Sequence, residues 1–355
     1  MSHGVAVYNT VGTEIMRTPD VSGGVFVGSF TMPAGSSGTF TFAQCAAGSL
    51  RVLQHTAGTH SWSISTNGLG SPVINYTAYT PADGITRATG IFVFTVDATL
   101  DAFGFFANNL LGERVVDSTF VKPEFLGKFS LSALGGAVAL QNSGWSHQDY
   151  QSASQTVGTG RTRVVLYDFP DTGSQDVYYA TGLAVIPPGQ NSFLCNARVL
   201  YANGSSWTVP QAYVFAIDGL TAGSGWGLQV FNAAGQLTYE ASKNHMNIRA
   251  LGNGYAYPVF SLFSYSFTPN SYALPTLPAG AAAFLTPFSA QRWEPTGPGS
   301  SESRLYQGGM RRSGSTLFTR IFHIATFTQD AAFSGENYYG SQLNIALPVI
   351  AGGDY

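Results

Sequence analysis

The stretch Gly227-Leu228-Gln229-Val230-Phe231-Asn232-Ala233-Ala234-Gly235, followed by Leu237-Thr238-Tyr239, decides how this chain is read. A strand-like run leads into Asn-x-x-Gly, and a second short run follows. Asn at position i and Gly at i+3 are the residues a type I turn prefers. Asn can bond its own backbone and Gly accepts a positive φ, so the chain reverses there. The segment therefore predicts a β-hairpin.

The same pattern stands twice more upstream. It reads Gly4-Val5-Ala6-Val7-Tyr8-Asn9-Thr10-Val11-Gly12 before Glu14-Ile15-Met16, and Gly104-Phe105-Phe106-Ala107-Asn108-Asn109-Leu110-Leu111-Gly112 before Arg114-Val115-Val116. The turns fall at Asn9 and Gly12, Asn109 and Gly112, and Asn232 and Gly235. The three starts lie 100 and 123 residues apart, a spacing of β-domain size rather than of a short solenoid repeat. Two of the hairpins share a leader: Phe92-Val93-Phe94-Thr95-Val96-Asp97 and Tyr213-Val214-Phe215-Ala216-Ile217-Asp218. Each reads as the last strand of one unit. The sequence thus predicts an all-β chain of two to three consecutive antiparallel β-sandwich domains. Their expected spans are 1–100, 101–222 and 223–355, with helix in under about a tenth of residues.

Strand signals fill the intervals. Runs at 25–30, 38–42, 91–96, 163–167, 176–179, 212–217, 260–267 and 317–327 are rich in Val, Ile, Phe, Tyr and Thr and are bounded by Gly, Pro, Ser or Asn. Residues 135–160, rich in Gly, Ser and Gln, and 269–303, rich in Pro, Ala, Gly and Ser, read as long loops or extended contact arms. They carry Trp145, Tyr150, Phe284, Phe288 and Trp293, which makes these five the expected interface residues, since aromatics dominate interface energetics.

Composition points the same way. The chain has 355 residues, 42 of them Gly, with 14% aromatic and only 10% charged side chains, against ~25% charged in an average protein. Soluble monomers keep apart with charge, so a surface this poor in it implies coverage by partner subunits and a homo-oligomer. Net charge is −3, with no basic run beyond Arg311-Arg312, which excludes an electrostatic footprint for nucleic acid. Cys45 and Cys195 imply neither a disulfide framework nor a cysteine zinc site, and buried free thiols are expected. Residues 1–16 lack a basic n-region followed by an apolar core, so no signal peptide is expected. No apolar stretch has the length of a membrane span.

Catalytic patterns are missing. The chain contains no G-x-S-x-G elbow, H-E-x-x-H, Walker loop or C-x-x-C. His55 and His60 straddle Ala57-Gly58 and read as a solvated loop rather than metal ligands. Asp168, Asp171 and Asp176 surround a Pro and a Gly; they read as a polar hairpin loop, with a bound cation as the open alternative. Trp62, Trp145, Trp207, Trp226 and Trp293 lie in polar, Gly-rich sequence; they read as loop anchors or subunit contacts, with sugar stacking as the alternative. No enzyme activity, cofactor or metal is expected.

The hairpin Gly227-Leu228-Gln229-Val230-Phe231-Asn232-Ala233-Ala234-Gly235-Gln236, with Tyr239-Glu240-Ala241-Ser242 after it, resembles the opening hairpin of small tail-associated structural proteins of tailed bacteriophages. Those proteins often begin with Met, a few small residues and Gly-Leu-x-Val-Tyr-Asn-x-x-Gly, and Ser2-His3-Gly4-Val5-Ala6-Val7-Tyr8-Asn9 is similar to that opening. The resemblance covers three segments of 15 residues. It implies a virion structural protein of the tail tip, baseplate or tail fibre, made in the host cytoplasm, with other virion subunits as partners and a host-surface glycan or protein as a further partner. It implies no catalytic residues. The alternatives are a capsid decoration or head-fibre protein, and a carbohydrate-binding or carbohydrate-active β-protein.

Overall fold

The protein, seen as a computed structural model, is described over residues 6–8, 14–17, 24–56, 58–80, 86–97, 106–108, 114–141, 144–168, 170–181, 185–223, 228–241, 243–246, 248–255, 270–273, 282–285, 291–295, 302–328, 338–339 and 345–350. The fold is all-β, and among the described residues there is no helix. The strands form antiparallel sheets that repeat one wiring three times.

In the first repeat, one sheet runs Val25–Met32, Thr89–Thr95, Leu50–Thr56 in space, and the other Gly38–Thr41, Pro72–Ala78, His60–Thr66. Counted along the chain, the orders are 1-6-3 and 2-5-4. This is a six-stranded version of the Greek-key wiring of jelly rolls. The two sheets sandwich Val25, Met32, Leu50, Val52, Ile74, Ile91 and Val93.

In the second repeat, the first sheet runs Glu124–Phe129, Ala212–Ala216, Arg163–Asp168. The second runs Ser132–Ala139, Trp145–Gln151, Asn196–Ala202, Val177–Thr181, the same order with Trp145–Gln151 inserted. Its core holds Val165, Tyr167, Val177, Tyr179, Val199 and Val214. In the third, Ile248–Tyr255, Ile345–Ile350 and Ala282–Leu285 again follow 1-6-3, while Asn270–Ala273, Thr316–Thr328 and Glu302–Ser313 follow 2-5-4, with Gln291–Pro295 and Tyr338–Tyr339 beyond.

The repeats match in detail. Phe26 pairs with Phe94 and Gly28 with Val93, leaving Val27 as a bulge. Phe125 pairs with Phe215 and Gly127 with Val214, leaving Leu126 as the corresponding bulge. A Cβ on Gly28 would stand 3.0 Å from the Phe30 ring, and one on Gly127 2.8 Å from the Phe129 ring. In both strands an aromatic two residues on lies over the glycine and supplies the packing that it lacks.

The central strands of the first two repeats are buried along their whole length, at Thr89–Thr95 and at Ala212–Ala216. This explains their shared sequence. Side chains alternate across a strand. Ile91 and Val93, like Ala212 and Val214, enter their own sandwich core. Phe92 and Phe94, like Tyr213 and Phe215, point the other way into a common cluster with Val164, Leu166, Ile217 and Met246.

The boundary expected near residue 222 has strands hydrogen-bonded across it. Arg163–Asp168 pairs with Ala282–Leu285, and Tyr179 with Met310, so both sheets of the second repeat continue into the third. Residues 135–160 and 269–303, expected as loops or arms, contain strands. The first holds Trp145–Gln151 and most of Ser132–Ala139; the second holds Asn270–Ala273, Ala282–Leu285 and Gln291–Pro295. Their side chains are poor in β-branched residues, but strand formation depends on cross-strand neighbours more than on intrinsic preference. Trp145–Gln151 is flanked by a partner on each side.

Candidate functional site

With no catalytic pattern in the sequence, the surfaces that join the repeats are the candidate site. They are built from three parts: hairpins, stacked faces and shared edges.

All three hairpins form with one register. Ala6 pairs with Arg17, Val7 with Met16 and Tyr8 with Glu14. The second has Phe106 with Asp117, Ala107 with Val116 and Asn108 with Arg114. The third has Gln229 with Glu240, Val230 with Tyr239 and Phe231 with Leu237. Each skips one residue at the same place: Ile15, Val115 and Thr238. In the third turn the Gly235 N–H donates to the Asn232 carbonyl at 2.9 Å, and Asn232 Oδ1 accepts the N–H of Ala234 at 3.0 Å and of Gln236 at 2.9 Å. Gly235 has φ of 76°. This is a type I turn closed by a left-handed glycine. Asn9, Gly12, Asn109 and Gly112 lie outside the described residues.

The segments after the second and third hairpins reach back to the sandwich before them. The Phe26 N–H donates to the Val121 carbonyl at 2.9 Å, and the Phe125 N–H donates to the Asn244 carbonyl at 2.7 Å. Phe26 and Phe125 are equivalent positions, and Val121 and Asn244 are separated by the same interval as the second and third hairpins. The second and third hairpins also touch. The Lys122 N–H donates to the Thr238 carbonyl at 2.9 Å, and Val116 packs with Val230, Tyr239 and Ala241.

The first two sandwiches meet face to face in one cluster, where Phe92 and Phe94 of the first join Val164, Leu166, Tyr213 and Phe215 of the second, and Phe26 and Phe125 pack against it from their own sheets. Phe26 contacts Phe92 and Phe94 with ring centroids 5.8 and 5.5 Å apart. Phe125 contacts Tyr213 and Phe215 at 6.3 and 5.4 Å. His55 lies over Phe92 at 4.2 Å, and burial pushes its pKa down to about 4.

The second and third repeats meet edge to edge, and their shared second sheet curls. Trp145 and Phe322 are four strands apart in it, yet their rings are 5.1 Å apart. The hollow is filled by Leu140, Tyr178, Leu200, Phe322 and Ile324. The Arg320 guanidinium lies 4.3 Å from the Trp145 ring, and that of Arg311 4.5 Å from Phe318. Farther along, Arg198 grips Asp149 with two bonds of 2.5 and 2.9 Å and donates a third to Gln307 Oε1 at 2.6 Å. Burial works to raise the Asp149 carboxyl, but the bond and charge of Arg198 outweigh it and hold it below its ordinary value. Burial lowers the pKa of neighbouring His147, with help from the Arg198 charge.

The aspartate loop belongs to this junction. Asp171 accepts the Gly173 N–H at 2.8 Å and the Gly314 N–H at 3.0 Å, and Thr172 donates to the Arg312 carbonyl. Asp176 faces Arg311 at 3.7 Å. Burial raises the Asp168 carboxyl, against the pull of Lys128 and Arg312. The carboxylates of Asp171 and Asp176 are thus aimed at donors of the third repeat rather than converging on one point. Among the described residues no three His, Cys, Asp or Glu side chains are grouped to hold a metal ion.

The expected interface residues separate. Trp145 is half-buried at the internal junction just described. Tyr150 is 7% exposed, inside the second sandwich core, and its hydroxyl accepts the Trp207 indole N–H at 2.8 Å. Phe284 stands in the strand that pairs with Asp168, and Trp293 pairs with Leu305, but their side chains lie outside what is described; so does Phe288 altogether. His55 and His60, expected in a solvated loop, are on strands. His60 is buried, with its ring nitrogens 2.9 Å from Thr89 Oγ1 and 3.0 Å from the Pro33 carbonyl. A cluster of backbone acceptors and aromatic rings took them in, and nothing in the local pattern marks that. Cys45 and Cys195 are buried free thiols, each pushed up to about 11 by burial. No protein-family model matches the chain, and no curated protein or solved structure is found to be similar to it.

Proposed function

We propose that the chain is a structural component of a bacteriophage virion, of the tail tip, baseplate or tail fibre, that assembles with other virion subunits. The observation that carries this reading is the threefold hairpin of one register, whose sequence resembles the opening of phage tail-associated proteins. Its tail joins one sandwich to the next twice over. Residues that an enzyme would gather in a cleft are used here to hold repeats together: Asp149 and Arg198, Asp171, Asp176 and Arg311. The low charge of the chain fits a surface that subunits cover. Contact with a host-surface glycan or protein is a secondary role within this reading.

The sugar-binding alternative needs open aromatic faces. Trp145 lies under Arg320 and Trp207 is stacked on Tyr201 at 4.0 Å, so these two do not offer one. Fold alone does not decide between virion and lectin. The test is gene neighbourhood together with immunogold labelling of purified particles. Flanking tail-tube and tape-measure genes with label at the tail are expected. Absence of the protein from particles, with hydrolysis or tight binding of a polysaccharide, would reverse the order of the two readings.

A further inference from the structure

The junction between repeats has two halves. One is a hairpin with its tail; the other is the outer edge of the first strand in the preceding sandwich. The second hairpin closes the Val25–Met32 edge, through Phe26 and Val121. The third closes the Glu124–Phe129 edge, through Glu124 with His245 and Phe125 with Asn244. Two half-junctions are then left over within these residues: the first hairpin, Ala6–Tyr8 with Glu14–Arg17, and the outer edge of Ile248–Tyr255. Among the described residues, the first hairpin pairs only with itself, and Ile248–Tyr255 pairs only with Ile345–Ile350.

We propose that these halves complete each other between molecules, the first hairpin of one copy docking on the outer edge of Ile248–Tyr255 in a second copy. The halves are of the right kind. The first hairpin has the register and the skipped residue of the two that are engaged. Ile248–Tyr255 is held on its inner side by the last strand of its repeat, as Val25–Met32 and Glu124–Phe129 are. It also forms one end of the seven-stranded sheet whose other end, Glu124–Phe129, is the edge closed by the third hairpin's tail. The sequence positions agree. Ile248 stands before the skipped residue Arg249 and Ala250 after it, as Phe26 and Gly28 flank Val27 and Phe125 and Gly127 flank Leu126, and Val21 stands where the other tails have Val121 and Asn244. An open strand edge is a ready template for pairing with another chain. A contact between two different surfaces closes into a ring when its rotation allows and otherwise runs on as a filament. The inference deepens the assembly half of the reading above, but stands on the junction geometry and not on a virion.

Sedimentation velocity across a concentration series, with the full chain and a chain lacking residues 1–23, tests it. The full chain is expected to associate and the shortened one to stay monomeric with an unchanged β spectrum. In a second arm, Val21→Cys and Ile248→Cys are introduced together and oxidised; Cys45 and Cys195 are buried and do not compete. Covalent multiples of the chain mass are expected from the double variant, and only a dimer from a mixture of the two single variants. A full chain that stays monomeric overturns the proposal. So does a folded shortened chain that associates as the full one does. If the shortened chain does not fold, the cysteine arm decides: a disulfide closing within one chain, or none, overturns the proposal while leaving the structural-component reading standing.

Discussion

The first sandwich joins the second through aromatic faces, whereas the second joins the third through backbone ladders and a polar brace. Both junctions lie within one chain, yet they rest on different physics. At the face junction Phe92, Phe94, Tyr213 and Phe215 are removed from water by one another, and the gain scales with apolar area. At the edge junction Tyr167 pairs with Leu285 and Asp168 with Phe284, and Arg198 ties Asp149 to Gln307. There the gain is directional and modest for each bond, and the cost of losing one partner is the larger quantity.

The largest expected effect comes from breaking the face. Phe215→Ala removes a fully buried ring and should cost about 3–5 kcal/mol in urea unfolding. Phe92→Ala should cost a similar amount. The two together should fall short of the sum, because the side chains share one cluster and each truncation relieves the other. Additive losses would mean that the two faces do not pack on one another.

Next is the hairpin that clamps the junctions. Gly235→Ala places a Cβ at φ of 76°, which costs roughly 1–2 kcal/mol, with no crowding to add to it. A denaturation midpoint unchanged by this substitution would show that the turn relaxes freely. Smaller still, Arg198→Ala should cost about 1 kcal/mol, because Asp149 is partly exposed and solvent takes over some of the bonding. Its signature at the edge is a loss that shrinks in high salt, which the face variants should not show.

A further effect is in pH. The folded pKa is lowered at His55 and His245, to about 4 at each, and in direction at His147; burial is the leading cause in all three. A base whose folded pKa lies below its unfolded value of 6.5 takes up protons on unfolding. Stability is therefore complete above pH 6.5 and falls as the pH drops from there towards 4. His55→Phe should flatten that slope, read as the urea midpoint against pH. A midpoint independent of pH between 6.5 and 4 would contradict the burial of these rings.

The face junction was partly legible in the sequence and the edge junction was not. Phe92-Val93-Phe94 and Tyr213-Val214-Phe215 announce strands apolar on both sides, and the hairpins announce themselves through Asn-x-x-Gly. Backbone pairing leaves no such trace. Arg163–Asp168 meets Ala282–Leu285 through N–H and C=O groups that every residue owns. Gly-rich strands such as Ser132–Ala139, exposed at all eight positions, have no apolar face to betray them. Tyr150 read as an interface residue because it is an aromatic in a segment read as a loop or contact arm, but the strand alternation turns it into the second sandwich core, where its hydroxyl accepts from Trp207.

The central claim is that the second and third hairpin tails close the edge of the sandwich before them, and amide hydrogen exchange of the intact chain tests it most directly. The Phe26 and Phe125 amides sit on outer strand edges, where an open edge would exchange fast. Bonded to Val121 and Asn244, both should be protected nearly as well as the Val93 and Val214 amides of the central strands. Exchange of Phe26 and Phe125 at the rate of an open edge, beside protected central strands, would contradict it.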